Sequence, residues 1–472
     1  MPGNRDGGTS TPAVTHPPEA RRSAAAERGP APGPPEEGSA AGVVARSVAS
    51  RTLRLLLATV TGMLIARTLQ PEGRGTYAVI ATAASMAMIL GHLSVERSQI
   101  SMWADRARHR ALTSNSLVLG LTLGGVSALA GLGLTALGLL PTASPLMGLA
   151  LLAVPFGVAA INLNGIALLR SQADAVNRGA LAAAMTQCLP LLVIIAIGDL
   201  TVTSVVVCWT ISITVPFFLM LWTLRPLSLR GDARLARRQL AVGGRYHAGR
   251  VAFHFLMTVD VLLLDGLDSA AAAGIYTVAV TVLALTRIPA DAIAQVALPR
   301  QACADTRDAE QVTARTLRLN LLISAAFIGT LAAASPVLVP LVYGESFAGS
   351  VVPLLVLAPG AVALTMIRLV EQHLVRLERP MVMTAIAVGA LAANVLLNLV
   401  LIPRWGAAGA SLASTATYIP MAVLEIAWFA RSAGIPMRSF LPRPGDVRLL
   451  LTRLAALAVT GRRGRRAARQ AG

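Results

Sequence analysis

Long apolar runs with no charge and no alternation constrain this chain more than any other feature. "SLVLGLTLGGVSALAGLGLTALGLL", Ser116 to Leu140, holds no ionisable residue at all. A run of about 20 apolar residues matches the hydrocarbon core of a bilayer. There every backbone N–H and C=O must be paired within the protein, so only helices and closed barrels span it. Barrel strands alternate apolar and polar residues, whereas these runs are continuous. The chain therefore reads as an all-α, polytopic membrane protein. Its 55% hydrophobic content and mean hydropathy of +0.65 over 472 residues exclude an ordinary soluble domain.

The net charge of +18 is carried by Arg alone, since the sequence has no Lys. Nucleic-acid binding would gather such charge on one surface, but here it falls between apolar runs, as the positive-inside rule expects. Three cysteines, Cys188, Cys208 and Cys303, offer neither a disulfide framework nor a metal-ligand spacing. No cofactor motif is present.

The pattern predicts twelve spanning helices, near 45–66, 77–95, 112–138, 146–169, 180–197, 203–224, 247–265, 272–298, 317–334, 351–376, 381–402 and 407–430. Alternate loops test the division. Every even-numbered loop holds two or more Arg, and the loop from Arg225 to Arg250 holds seven; all the odd-numbered loops together hold only Arg67, Arg74 and Arg404. Both termini are accordingly expected in the cytoplasm. No credible cleavage site follows the first apolar run, so it is expected to remain as a span. Residues 1–42, rich in Pro, Gly and Ala, are expected to be disordered. Residues 43–224 form an N-terminal six-helix bundle, 225–246 a basic cytoplasmic linker, and 247–431 a C-terminal six-helix bundle. Residues 432–472 read as a basic amphipathic tail on the anionic inner leaflet; a partial thirteenth span is the other reading.

One hinge occurs twice. Gly75-Thr76-Tyr77 follows the first helix of the first bundle, and Gly274-Ile275-Tyr276 follows the first helix of the second. Six helices per half leave both halves in one orientation, a common transporter plan with the site at the midplane. Only the second copy has an acidic residue, Asp260, inside the preceding apolar run.

Four stretches, in order, carry a resemblance: "IARTLQPEGRGTYAVI", "VDVLLLDGLDSAAAAGIYTVAV", "LVYGESF" and "NVLLNLVLIPRWGAAGASLAS". Together they resemble O-antigen-type oligosaccharide flippases of the multidrug/oligosaccharidyl-lipid/polysaccharide exporter superfamily, over roughly residues 43–431. The resemblance implies two six-helix bundles working by alternating access. It also implies a polyprenyl-(pyro)phosphate-linked oligosaccharide as cargo, moved across the cytoplasmic membrane for cell-surface polysaccharide assembly. A coupling cation, proton or sodium, would supply energy, and a polysaccharide polymerase or glycosyltransferases would be partners.

A charge near the bilayer centre costs at least ~2.5–3.5 kcal/mol, so those present tend to face a cavity or a partner. Guanidinium donates paired hydrogen bonds to phosphate and stays charged, which makes Arg54, Arg250, Arg287 and Arg368 candidate phosphate ligands. Arg54 and Arg250 also read as positive-inside anchors. Arg287 with Asp291, and Arg368 with Glu371, also read as structural pairs. Asp260, Asp291 and Glu371 are candidates for cation coupling or inter-bundle pairing. Asn394 and Asn398 share a helix face and suit helix–helix hydrogen bonding. Pro403, Gly406 and Gly409 suit a tight turn and close helix approach, and Gly75, Tyr77, Gly274 and Tyr276 the hinges.

Catalysis is not expected, because the loops are short and no nucleophile–base set is visible. The alternatives are a multidrug or toxin cation antiporter of the same superfamily and a membrane enzyme of glycan assembly. The basic balance within the membrane favours an anionic cargo.

Overall fold

The computed structural model describes residues 37–138, 145–225, 228–286, 306–376 and 380–446, with 448 and 452. Among them every regular element is helical. The chain divides at Ser50 into two units, and of the first, 1–50, only a helix from Glu37 is described. The second unit, Arg51–Gly472, carries the membrane-crossing helices and the candidate site. Eight described helical segments are long and apolar enough to cross a membrane. Two of these, Ser50–Met102 and Met381–Ser432, run to 53 and 52 residues, twice the length one crossing needs.

Both long segments fold back on themselves. In α1 (Glu37–His92) the helix breaks at Gln70, which has φ 57° and ψ 180° and precedes Pro71. A straight helix would separate Gly62 and Arg74 by about 18 Å, yet Arg74 Nη1 donates to the Gly62 carbonyl at 2.8 Å. The two arms are the first and second expected spans. In α13 (Pro380–Ser432) the break is Gly406, φ 51°. There the backbone enters the left-handed region that glycine alone enters freely. Asn394 Nδ2 reaches Thr417 Oγ1 at 3.4 Å across the turn, so the arms are the eleventh and twelfth spans.

The intervening helices are α2 (Val95–Met102), α3 (His109–Ala136), α4 (Pro145–Leu152), α5 (Val154–Leu169), α6 (Ala173–Ile197) and α7 (Val202–Thr223). Next come α8 (Ala233–Leu256), α9 (Val259–Leu267) and α10 (Ala270–Ala284), then α11 (Thr306–Tyr343) and α12 (Val351–Arg376). The seventh expected span is two helices broken at Met257–Thr258. It also begins at Ala233 rather than near 247, so most of the expected linker is helix. Asp232 starts it: Oδ1 accepts from Arg234 N and Leu235 N at 2.9 and 3.0 Å, satisfying helix donors that would otherwise lack partners. Leu235, Gln239 and Gly243 then bury one face. Asn115 on α3 holds that face, donating to Gln239 Oε1 and the Asp232 carbonyl at 3.0 Å each.

Apolar cores segregate along the chain. The clusters around Leu112–Leu163–Met220, Ile80–Met147–Val158 and Ile65–Leu191–Val205 draw their buried members from residues before 236. The largest cluster draws on residues 252–422, with Ala66 and Val79 as its two fully buried members from earlier in the chain. Part of the expected surface tail is built in as well. Phe440 is buried against Leu317, Val370 and Phe429, and Arg318 Nε bonds Asp446 Oδ2 at 2.9 Å with both side chains little exposed. Of the segment expected to be disordered, 1–42, the part from Glu37 is helical. Residues 1–36, the end of the eighth expected span from 287, and the tail beyond 446 apart from 448 and 452 lie outside the described residues.

Candidate functional site

Asp260, in the first turn of α9, is wholly buried. Its carboxylate gathers three neutral donors. Tyr276 Oη on α10 donates to Oδ2 at 2.6 Å, Ser414 Oγ on α13 to the same oxygen, and Asn398 Nδ2 to Oδ1 at 2.7 Å. Asn398 Nδ2 also donates to Asn394 Oδ1 at 3.0 Å. One carboxylate thus ties together α9, α10 and both arms of α13. The Asn398 Oδ1 atom is buried and has no hydrogen-bond partner among the described residues.

The sequence offers Asp260 a basic partner in the other half or a coupling cation. Among the described residues its hydrogen-bond partners are neutral and all come from residues 276–414. Asn394 reaches Thr417 on the second arm of α13, and Asn398 reaches Asp260 on α9. Sequence reasoning missed Ser414 and Thr417, because hydroxyls in an apolar helix resemble ordinary packing residues. Their spacing with Ser411, i, i+3, i+6, was the available signal.

The two Gly-x-Tyr hinges meet. A methyl group on Gly75 would collide with the Ala270 carbonyl oxygen and lie 2.9 Å from Gly274 N. One on Gly274 would collide with the Pro71 carbonyl oxygen and lie 3.1 Å from Gly75 N. The repeated glycines are therefore reciprocal contact points between α1 and α10. Their tyrosines differ: Tyr77 Oη accepts from Gln187 Nε2 at 3.1 Å, where Tyr276 donates to Asp260. At the same end Arg67 Nε donates to the Val342 carbonyl at 3.0 Å, with Nη2 on the Leu341 carbonyl. Gly406 faces Asp268, and Gly409 abuts the Leu401 carbonyl, close approaches that a side chain would block. Pro403 lies in the turn of α13 just before Gly406.

At the opposite end Arg250 on α8 is ion-paired with Glu96 on α2. Glu96 also lies 2.7 Å from Nε2 of the fully buried His92. Arg250 is thus engaged by a carboxylate. Arg54 is half-buried on the first arm of α1. Arg287 and Asp291 lie outside the described residues, as do the side chains of Arg368 and Glu371 on α12. No group of three His, Cys, Asp or Glu side chains that could hold a metal ion occurs among the described residues.

Comparison with known proteins places this architecture. No curated protein sequence matches the chain. Among solved structures it is similar to an inward-facing multidrug resistance MATE family transporter of the MOP superfamily (15% identity, TM-score 0.62, 81% of this chain and 94% of that one). It is likewise similar to the lipid II flippase MurJ in an inward closed conformation (14% identity, TM-score 0.64, 84% and 88% covered). A third is a MOP superfamily transporter from Pyrococcus furiosus Vc1, described as having a binding pocket of reversed polarity (14% identity, TM-score 0.55, 82% and 93% covered). At these identities the likeness establishes the fold, which these transporters and this flippase share. The family model for polysaccharide biosynthesis proteins matches residues 44–304, more than half of the sequence, and the chain belongs to that family.

Proposed function

We propose that this protein is a flippase that carries a polyprenyl-(pyro)phosphate-linked oligosaccharide across the cytoplasmic membrane by alternating access. The observation that carries the reading is the match to the polysaccharide biosynthesis family on a fold shared with both drug transporters and a lipid-linked-precursor flippase. Such cargo has a polar sugar chain and an anionic phosphate that must cross the membrane interior, while its alkyl chain can stay in lipid. Arg54, Arg250, Arg287 and Arg368 are the residues proposed to meet the phosphate. Arg250 takes that role once its pairing with Glu96 is given up. The Arg-rich loops then face the cytoplasm with both termini, and the Gly75–Gly274 contact closes the outer end.

The Asp260 cluster is the proposed coupling site. A wholly buried carboxylate is costly without a counter-charge. Two hydroxyls and one amide N–H donate to it. The carboxylate is the group that would take a proton, and its oxygens with the two hydroxyls and Asn398 Oδ1 are oxygen ligands of the kind a sodium ion takes. Asp291 and Glu371 remain proposed for coupling or pairing. Cargo binding on one side and cation binding on the other would favour opposite conformations, which is what coupled transport requires.

Deletion of the gene tests the reading. Lipid-linked oligosaccharide should accumulate on the inner leaflet and be cleared on re-expression. Normal surface glycan in the deletion strain, with greater sensitivity to lipophilic cations, would favour the drug-antiporter reading that the MATE likeness keeps open.

A further inference from the structure

Beside the Gly75–Gly274 contact lies a buried cation. Arg74 is 7% exposed. Its Nη1 donates to the Gly62 carbonyl at 2.8 Å, within the same hairpin, and its Nη2 to Thr281 Oγ1 on α10 at 3.4 Å. Its guanidinium carbon lies 5.6 Å from the centre of the Tyr343 ring at the end of α11. Nε is buried and has no hydrogen-bond partner among the described residues. No carboxylate pairs with Arg74 among the described residues.

This arrangement has two physical consequences. The guanidinium reaches from the α1 hairpin to α10 and α11, so it fastens together the two surfaces whose glycines touch. Among the described residues it does so with neutral partners only, leaving a charge poorly compensated and the buried Nε unused, which is unfavourable for a buried cation. A phosphate or diphosphate presents paired anionic oxygens that match the guanidinium fork better than a hydroxyl and a ring face do.

We propose that Arg74 is an anion-responsive latch on the glycine seal. With no cargo present it holds the hinge end closed through Thr281 and Tyr343. A phosphate or diphosphate group arriving between the halves takes the guanidinium from those partners, and the seal is free to part. The inference rests on the flippase reading for its ligand class, but the seal and its latch can be tested without transport.

Val79 is wholly buried in the cluster otherwise formed by residues 252–422, apart from Ala66. A cysteine there is reached by solvent only when those surfaces separate. The test uses the full chain with Cys188, Cys208 and Cys303 changed to Ala and Val79→Cys added, and measures labelling by a water-soluble maleimide. The parent should label slowly, and Arg74→Gln about tenfold faster, since a charged hydrogen bond and a ring contact across the seal are lost. Geranylgeranyl diphosphate should accelerate the parent and leave Arg74→Gln unchanged, while geranylgeraniol does nothing. Acceleration by inorganic pyrophosphate too would mean that the diphosphate alone is recognised; a response to the lipid form only would mean that the chain is read as well, and either supports the latch. Slow labelling of Arg74→Gln, or a parent indifferent to both diphosphates, overturns it. Should Arg74→Gln fail to fold, the parent's response alone decides. Glycan export by the wild-type chain is read separately in the deletion strain. A responsive latch without export would therefore remove the flippase reading and leave the latch standing.

Discussion

Asn398 Nδ2 donates to Asp260 Oδ1 at 2.7 Å, joining the first arm of α13 to α9 inside the largest apolar core. The same carboxylate holds Tyr276 and Ser414, so three helices depend on one charge. Asp260→Ala leaves those donors buried and unmatched and should lower stability by about 2–4 kcal/mol. Thermal unfolding in detergent measures it. Asp260→Asn keeps the shape, so the protein should accumulate normally and lose transport. Sodium should raise the unfolding temperature of the wild type in a concentration-dependent way if sodium is the coupling ion, and Asp260→Asn should abolish the rise. A wild type that responds to acidification alone would identify the proton.

The reciprocal glycines give a sharper steric prediction. Gly75→Ala and Gly274→Ala each place a methyl group against a carbonyl oxygen of the facing helix. Either should stop the hinge end from closing and abolish export, with protein levels preserved. Gly329 lies inside α11 with open space where a methyl would go, so Gly329→Ala should be neutral or stabilise by up to about 1 kcal/mol and export normally. Surface-glycan staining together with membrane abundance reads both.

Arg250 and Glu96 should be coupled only weakly. Arg250 is 42% exposed while Glu96 is 19% exposed, so solvent screens the Arg end and a double-mutant cycle on unfolding should give about 1 kcal/mol. If Arg250 also meets phosphate, Arg250→Gln should abolish export while Glu96→Gln spares it. Equal loss from both would make the ion pair itself the functional element.

Arg318 and Asp446 fasten the segment after α13. Both are little exposed and Asp446 also accepts from Arg443 N at 3.0 Å. Asp446→Ala should cost about 2–3 kcal/mol locally by leaving Arg318 without its counter-charge. Limited proteolysis should then cut near Ser439, which the wild type protects.

Much of the fold was readable in the sequence, because membrane helices announce themselves by apolar length. The all-α architecture of membrane-length helices follows from such signals. The start of α8 did not, because Arg234, Arg237 and Arg238 disguised a buried stripe of Leu235, Gln239 and Gly243 behind the Asp232 cap. Nor did the meeting of Gly75 with Gly274: the repeat was visible, but a repeat does not say that its two copies touch. Asp260 stands out in the sequence as unusual, yet its partners do not, since a lone buried charge suggests a counter-charge where hydroxyl and amide groups in fact serve.

The most direct measurement is flipping in reconstituted vesicles, using a fluorescent short-chain polyprenyl-diphosphate oligosaccharide and a quencher confined to one side. The expected result is translocation by the wild-type protein well above that of protein-free vesicles, lost in both Asp260→Asn and Gly274→Ala. Translocation no faster than in empty vesicles, from protein that exchanges a lipophilic cation for protons or sodium, would contradict a lipid-linked glycan as the cargo.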